Sequence, residues 1–303
     1  MTDAIAFVTV GVADLEIALD LWCGTFGMEV VGRRDGADPA LAALWDLQSD
    51  AIRAQALIRT PGAVAGWLHL VQFNHPAAPA RAGAGPMDLG PKNLDVYCDD
   101  IHARIGELQA AGWPFRSRVI EYKVGDIVAS EVQMPGPDDT NIVFVEVAGQ
   151  TMPVSAAGYC GITSFVVIVA DLEVEAAFYK ELFGFEELLR HRITGAEIEE
   201  IVNLPSMTGV QMLVLGREHE RFGRVELIQY DGAPGADRFG LACAPALGSL
   251  HCAFRVASVD ATLAGYTGKV DRIDISGTLF DAGSAAVVTS PAGLRIELFE
   301  ATR

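Results

Sequence analysis

Three residues in the second half of the chain carry polar chemistry inside otherwise strand-like apolar runs. His251 sits in Ser249-Leu250-His251-Cys252-Ala253-Phe254, and Glu297 in Arg295-Ile296-Glu297-Leu298-Phe299. Glu226 stands in Val225-Glu226-Leu227-Ile228-Gln229-Tyr230. A charge inside a strand core needs a partner, and a shared cation would supply it. Imidazole and carboxylate together suit Zn, Mn, Fe, Co or Ni, and Mg less well. Each residue also has a plainer reading. Strands alternate their faces, so a single strand Glu is more often solvent-facing. A single strand His is more often a hydrogen-bonded core residue.

The elements that must position these groups come in copies. Val12-Ala13-Asp14-Leu15-Glu16 returns as Val169-Ala170-Asp171-Leu172-Glu173, and Phe26-Gly27 as Phe183-Gly184, at one fixed offset. Self-similarity at a fixed period means one structural unit used repeatedly. Ile5 to Val12 and Ile162 to Val169 read as strands. Asp14 and Asp171 stand where helix N-caps belong, and Gly27 and Gly184 where left-handed C-caps belong. Further strands are expected at 28–31, 54–59 and 67–73, and at 185–189, 210–215 and 224–230. Each half then restarts, at 93–98 and at 250–256, with helices at 101–111 and 259–266. Strands at 126–133, 141–147, 285–289 and 294–299 complete the order. The expected architecture is α+β, with four βαβββ modules. Gly149 to Gly158 reads as the linker, giving domains of 1–150 and 151–303, with long surface connections at 76–91 and 231–248.

Bulk properties narrow the partners. Half of the 303 residues are hydrophobic and a fifth are charged, ordinary for a globular protein. The net charge of −18 argues against nucleic acid and anionic membrane, which demand basic surface. No apolar run approaches a membrane span, and Met1-Thr2-Asp3-Ala4 lacks the basic start of a signal peptide. A cytoplasmic location is the expectation. The five cysteines form no Cys-x-x-Cys pair and read as reduced, buried hydrophobes.

This pattern resembles the vicinal oxygen chelate superfamily, the group of glyoxalase I, extradiol dioxygenases and bleomycin-resistance proteins. The resemblance rests on Phe165 to Gly184, Val225 to Tyr230, Gly248 to Val256 and Ser290 to Phe299. It implies modules paired into two curled mixed-sheet cups, with a divalent metal ion (Zn, Mn, Fe, Co or Ni) in a cup. Family ligands come from the first and fourth strand of each module in a pair. If modules three and four pair, those places hold Ser164, Glu226, His251 and Glu297. The resemblance thus implies metal ligation by Glu226, His251 and Glu297. The matching places in the first half hold Phe7, His69, Asn93 and Val143, a degenerate set with one ligand type. His69 and His75 are expected to be incidental. If module one pairs instead with module four, Phe7 would face His251 and Glu297, and the site would change.

The chemistry implied is polarisation of a carbonyl or vicinal-oxygen small molecule and stabilisation of an enolate, as in a lyase or isomerase. Glu226 or Glu297 would move the proton, and Ser164 would hydrogen-bond the substrate. Phe165, Tyr179, Phe183, Met207, Met212 and Tyr230 are candidate lining residues, although such residues are more often plain core. The segments 193–198 and 217–221 are expected at the cup mouth, with His219 solvated. One competing reading is a metal-free binding or resistance protein. Another is a ring-cleaving dioxygenase of the extradiol type, which Ser164 disfavours because the resemblance calls for a histidine there. A homodimer is the default assembly, but two complete cups need only one chain.

Overall fold

Asp14 and Asp171 open matching helices in the same way. The Asp14 carboxylate accepts from the amides of Glu16 and Ile17 at 2.9 and 3.2 Å. Asp171 accepts from Glu173 and Val174, both at 3.1 Å. These are N-cap bonds to otherwise unpaired first-turn amides. Gly184 closes the second helix at φ 64°, the left-handed C-cap that lacks a Cβ penalty.

A computed structural model of the chain describes residues 4–280 and 282–301. Residues 1–3, on which the reading of the N-terminus partly rests, lie outside the described residues. Module one comprises β1 (Phe7–Val12), α1 (Leu15–Leu19), β2 (Glu29–Asp35), α2 (Pro39–Leu44), β3 (Ile52–Arg59) and β4 (Trp67–Phe73). Module two comprises β5 (Gly90–Cys98), α3 (Ile101–Ala110), β6 (Ile120–Val124), β7 (Ile127–Pro135) and β8 (Asn141–Val147). Module three comprises β9 (Tyr159–Ile168), α4 (Leu172–Phe183), β10 (Glu186–Ile193), α5 (Ala196–Val202), β11 (Val210–Gly216) and β12 (Arg224–Tyr230). Module four comprises β13 (Gly248–Val256), α6 (Val259–Thr262), β14 (Asp271–Asp274), β15 (Ala282–Thr289) and β16 (Arg295–Ala301).

The modules form two mixed eight-stranded sheets, as the α+β reading requires, but they pair crosswise. One sheet runs β14-β15-β16-β13-β1-β4-β3-β2, and the other β10-β11-β12-β9-β5-β8-β7-β6. Module one therefore pairs with module four, and module two with module three. This corrects the expected pairing of one with two and three with four, because each sheet draws on both 1–150 and 151–303. The physical reason lies in the connections. The short stretch 148–158 lets β9 fold back antiparallel on β5, with Ser164 opposite Asp95. The long stretches 74–89 and 231–247 instead carry the chain from one sheet to the other. They are held to each other by short parallel bridges at Leu89–Asp237 and Pro79–Leu247 and by Arg238 on Asp88 at 2.6 Å. Consecutive elements tend to be neighbours, so the shortest linker joins the paired modules.

Strand alternation divides each sheet into two faces. Val8, Val10, Leu94, Val96, Phe165, Val167, Cys252 and Phe254 point to the helices and form one continuous core with α1, α3 and α4. Each fully buried Phe or Leu there contributes about 1.5–3 kcal/mol of transfer free energy. Residues on the other face line the two cups. All five cysteines are free; Cys98, Cys160 and Cys252 are buried, while Cys243 is exposed, against expectation. Among the described residues no helix is long and apolar enough to cross a membrane.

Candidate functional site

The cup of modules one and four holds His251 and Glu297, as expected of neighbouring first and fourth strands. β13 runs parallel to β16 with Ala253 opposite Glu297, which brings the two side chains together. His251 Nε2 lies 3.1 Å from Glu297 Oε1, and both residues are fully buried. Glu297 Oε1 also accepts from the indole N–H of Trp45. Burial pushes the Glu297 carboxyl up, but the charge of His251 and its hydrogen bond, with Arg295 and Trp45, bring it below the usual carboxylate range.

Glu226 is not there. It lies on β12 of the other sheet, so the expected set of Glu226, His251 and Glu297 is not assembled. The crosswise pairing puts Phe7 and His69 beside His251 and Glu297 instead. Phe7 stacks on Phe280 at 4.8 Å, and Phe280 packs edge-on to His69 at 4.9 Å. Trp45 packs against His251 at 5.4 Å. His69 is fully buried, with Nε2 at 2.8 Å from Gln55 Oε1 and Nδ1 at 3.4 Å from Thr9 Oγ1. Gln55 in turn donates to Asp38 at 2.9 Å, and Asp38 caps α2 through the Leu41 amide. Aromatic rings thus fill this cup, and Gln55 and Thr9 hold the His69 ring.

The implied metal can be tested against these donors. His251 Nδ1 and Glu297 Oε2 have no hydrogen-bond partner, which would favour a cation. Yet His69 is engaged by Gln55, the fourth position is Phe7, and Trp45 occupies the space over the pair. Among the described residues no group of three or more His, Cys, Asp or Glu is arranged to hold an ion. As arranged, the donor set does not fit the metal: His69, His251 and Glu297 are by type the two imidazoles and one carboxylate of a facial triad, but His69 is held by Gln55 and the three are not grouped to hold an ion.

His69 has a consequence for stability. Burial drives its pKa down to about 3; the charge of Glu297 opposes the shift and that of His251 adds to it. The folded state therefore binds fewer protons here than the unfolded state. The resulting stability is present above the unfolded value of about 6.5 and is lost as pH falls towards 3. Urea titrations at pH 7 and 5 are expected to show a loss approaching about 1.4 kcal/mol per pH unit from this group. An equal loss in His69→Gln would assign the effect elsewhere.

The cup of modules two and three is open. A cavity of about 480 Å³ is lined by Asp95, Tyr122, Glu131, Ser164, Met212 and Glu226, among others. These residues come from β5, β6, β7, β9, β11 and β12, each from the face that alternation turns inward. Asp95 and Glu226 are hydrogen-bonded to each other. Burial raises both, and the charge of Glu131 adds to it; Glu226 is pushed up to about 7, and Asp95 stands well above the carboxylate range. Above about pH 7 the pair therefore keeps one proton, and below it two. Glu131 is raised by burial and accepts from the Tyr122 hydroxyl at 2.7 Å. Such perturbed pairs in a cavity mark candidate acid–base sites.

Other expected site residues fall as follows. Ser164 lines the open cavity beside Glu226, and Met212 shares it. Tyr230 lies on the same cup face and accepts from Lys92 at 2.8 Å. Phe165, Tyr179 and Phe183 are buried behind the sheets and line no cup, because their strand or helix positions face the core. Met207 is 90% exposed. His75 and His219 are solvated, as expected. Ile193 and Ile198 border a small space shared with Glu131 and Glu226, and Arg221 reaches the open cavity. Asn93 is hydrogen-bonded to Asn141 at 2.7 Å, and Val143 is buried. Asp95, Glu131, Tyr122 and Lys92 were not among the sequence candidates. The available signal was a carboxylate inside the apolar run Leu94-Asp95-Val96-Tyr97, the same signal that singles out Glu297.

Comparison with known proteins agrees with this architecture. Residues 161–298 match the model of the Glyoxalase/Bleomycin resistance protein/Dioxygenase superfamily. No curated protein matches the sequence. Among solved structures, glyoxalase I from Zea mays is similar over 99% of this chain and 92% of its own, at 15% identity and a TM-score of 0.62. A putative dioxygenase from Bacillus subtilis is similar over 98% of this chain and 85% of its own, at 13% identity and a TM-score of 0.59. At such identities the likeness is one of fold. Residues 161–298 thus match the Glyoxalase/Bleomycin resistance protein/Dioxygenase superfamily, and the whole chain shares the fold of these solved structures.

Proposed function

We propose that the cup of modules two and three is an active site of isomerase or lyase type, acting on a small oxygenated carbonyl compound. The observation that carries this reading is the proton-sharing Asp95–Glu226 pair lining an open cavity. Ionised Glu226 takes a proton from the carbon beside the carbonyl. Protonated Asp95 gives its proton to the carbonyl oxygen, so a neutral enol forms and no net charge builds up in the cup. Return of a proton to a different carbon, or loss of a neighbouring leaving group, gives the isomerase or lyase outcome. Ser164 supplies a hydroxyl to orient a second substrate oxygen. The scheme draws on this chain's own carboxylates, in keeping with the poor fit of the metal donors.

The test is hydrogen exchange from D₂O into a panel of 2-hydroxy ketones, 2-hydroxy aldehydes and 2-oxo acids, followed by NMR. Wild type is expected to accelerate exchange at the carbon beside the carbonyl in at least one compound. Asp95→Asn is expected to lose about 10²-fold or more of that rate. Exchange at the same rate in both proteins would overturn the assignment. A binding or resistance protein is the second reading, favoured by the apolar share of the lining: Leu188, Leu189, Met212 and Val214. Saturable binding of a compound with no exchange in any member of the panel would support it.

A further inference from the structure

Beside the acid pair, the same module pair gathers positive charge in a protein whose net charge is −18. Arg81, Lys92 and Arg116 line a second cavity of about 570 Å³. A smaller space of about 50 Å³ shares Lys92 and Gln133 with this cavity, and Tyr122, Glu131 and Glu226 with the first. It therefore lies between the two. The basic cavity is built by the connection after β4, the start of β5, the loop between α3 and β6, the turn after β7 and the end of α5.

Among the described residues two of its cations, Arg81 and Lys92, lack the carboxylate partners that buried charge usually has. Lys92 is 8% exposed, and its ammonium donates to the Pro86 carbonyl at 3.1 Å and the Tyr230 hydroxyl at 2.8 Å. An ammonium has three donors, so one remains for a ligand. The Arg81 guanidinium bonds the carbonyls of Gly85, Asp88 and Pro91. Among the described residues neither Arg81 nor Lys92 is paired with a carboxylate. Arg116 donates to Asn141 at 2.9 Å and lies 3.6 Å from Asp139. The other carboxylate at the cavity, Glu200, is held by both arms of Arg118 at 3.0 Å. Net positive charge therefore remains. Burial, joined by the charges of Arg81 and Arg116 and opposed by that of Glu131, brings Lys92 down to about 7.

We infer that the pocket of Arg81, Lys92 and Arg116 is an oxyanion subsite, which takes the carboxylate or phosphate end of a small molecule whose oxygenated carbon reaches Asp95 and Glu226. Only its final clause rests on the proposed acid–base chemistry. An anion beside Lys92 stabilises the ammonium, so binding near pH 7 draws a proton onto it.

Calorimetric titration with sodium phosphate and with sodium acetate, at constant chloride, tests the subsite. Wild type is expected to bind at one saturable site per chain, with proton uptake read from two buffers of different ionisation heat. Lys92→Met and Arg116→Gln are each expected to weaken binding about tenfold or more, the scale of one charge-assisted hydrogen bond, and Lys92→Met to abolish the proton uptake. Arg116 is half-exposed, so its variant keeps the test sound if Lys92→Met fails to fold. Tighter binding of phosphate assigns a phosphorylated ligand, and comparable binding of acetate a carboxylate. Absence of saturable binding of either anion, or unchanged affinity in both variants, overturns the subsite. Phosphate binding through Lys92 without hydrogen exchange on any panel compound leaves the subsite standing and overturns the acid–base reading.

Discussion

Glu226→Gln is expected to lower the rate of hydrogen exchange about 10²–10⁴-fold, the usual worth of a positioned general base. Glutamine keeps the shape and can still hydrogen-bond Asp95, so the loss isolates the proton-accepting oxygen. The pH profile gives a sharper reading. In wild type the pair loses its first proton near 7, the value to which burial and the charge of Glu131 push Glu226. Exchange is therefore expected to rise with pH through about 7 and to fall again where Asp95 gives up the second proton. The two limbs belong to the pair rather than to either residue. A rising limb near the ordinary carboxylate value of about 4.3, or a Gln variant within tenfold of wild type, would remove Glu226 from this role. Stability should move the other way. A raised carboxyl stabilises the fold below its unfolded value of about 4.3, and that contribution is lost as pH rises through 7. Above pH 7 the Gln variant is then expected to be more stable than wild type, as befits a group kept for function.

The second large effect belongs to the closed cup. Glu297→Ala is expected to cost about 3–5 kcal/mol of folding stability, because it breaks the fully buried His251–Glu297 pair. It also strips the Trp45 indole of its acceptor. His251→Ala should fall in the same range, and a double-mutant cycle should show strong coupling. Replacing both at once with apolar residues, His251→Leu with Glu297→Met, should be far milder, since no lone charge remains. Urea midpoints measure all four proteins. Dialysis against a chelator is expected to leave the wild-type midpoint unchanged. A midpoint that falls on chelation and returns with one of the transition metals would show that a cation joins this pair after all. Exchange activity in the open cup should survive Glu297→Ala at temperatures where the variant stays folded.

The modules were legible in the sequence because the signals are local. The repeated Val-Ala-Asp-Leu-Glu segment, its N-cap and the Phe-Gly helix end mark α1 and α4 wherever their sheets go. Module pairing was not legible. The inward faces of β5, β9 and β13 all carry one or two polar residues, and alternation does not say which strand lies beside which. That single choice moved Glu226 away from His251 and Glu297. Asp95 was missed because the resemblance directs attention to Asn93, two residues earlier on the same face. The strand β6, with Tyr122, was hidden by alternation of Glu121 and Lys123 with apolar residues in an edge position. The helix α2 had its signals in plain view, an Asp38 N-cap followed by Pro39, but its counterpart in the repeat, α5 (Ala196–Val202), starts from Gly195 with no side-chain cap, so the comparison of the halves did not reveal either.

The crosswise pairing also fixes an order of events during synthesis. The inner cup is complete once β12 has left the ribosome, while β1 must wait for β13, some 240 residues further along the chain. Until then module one presents the β1 edge with no strand beside it, the kind of exposed edge that invites association with other chains. Contacts so distant in sequence form late and slowly. The open cup is thus the early-folding centre of a nested structure, and the sealed cup, with its buried His251–Glu297 pair, is the clasp that closes last.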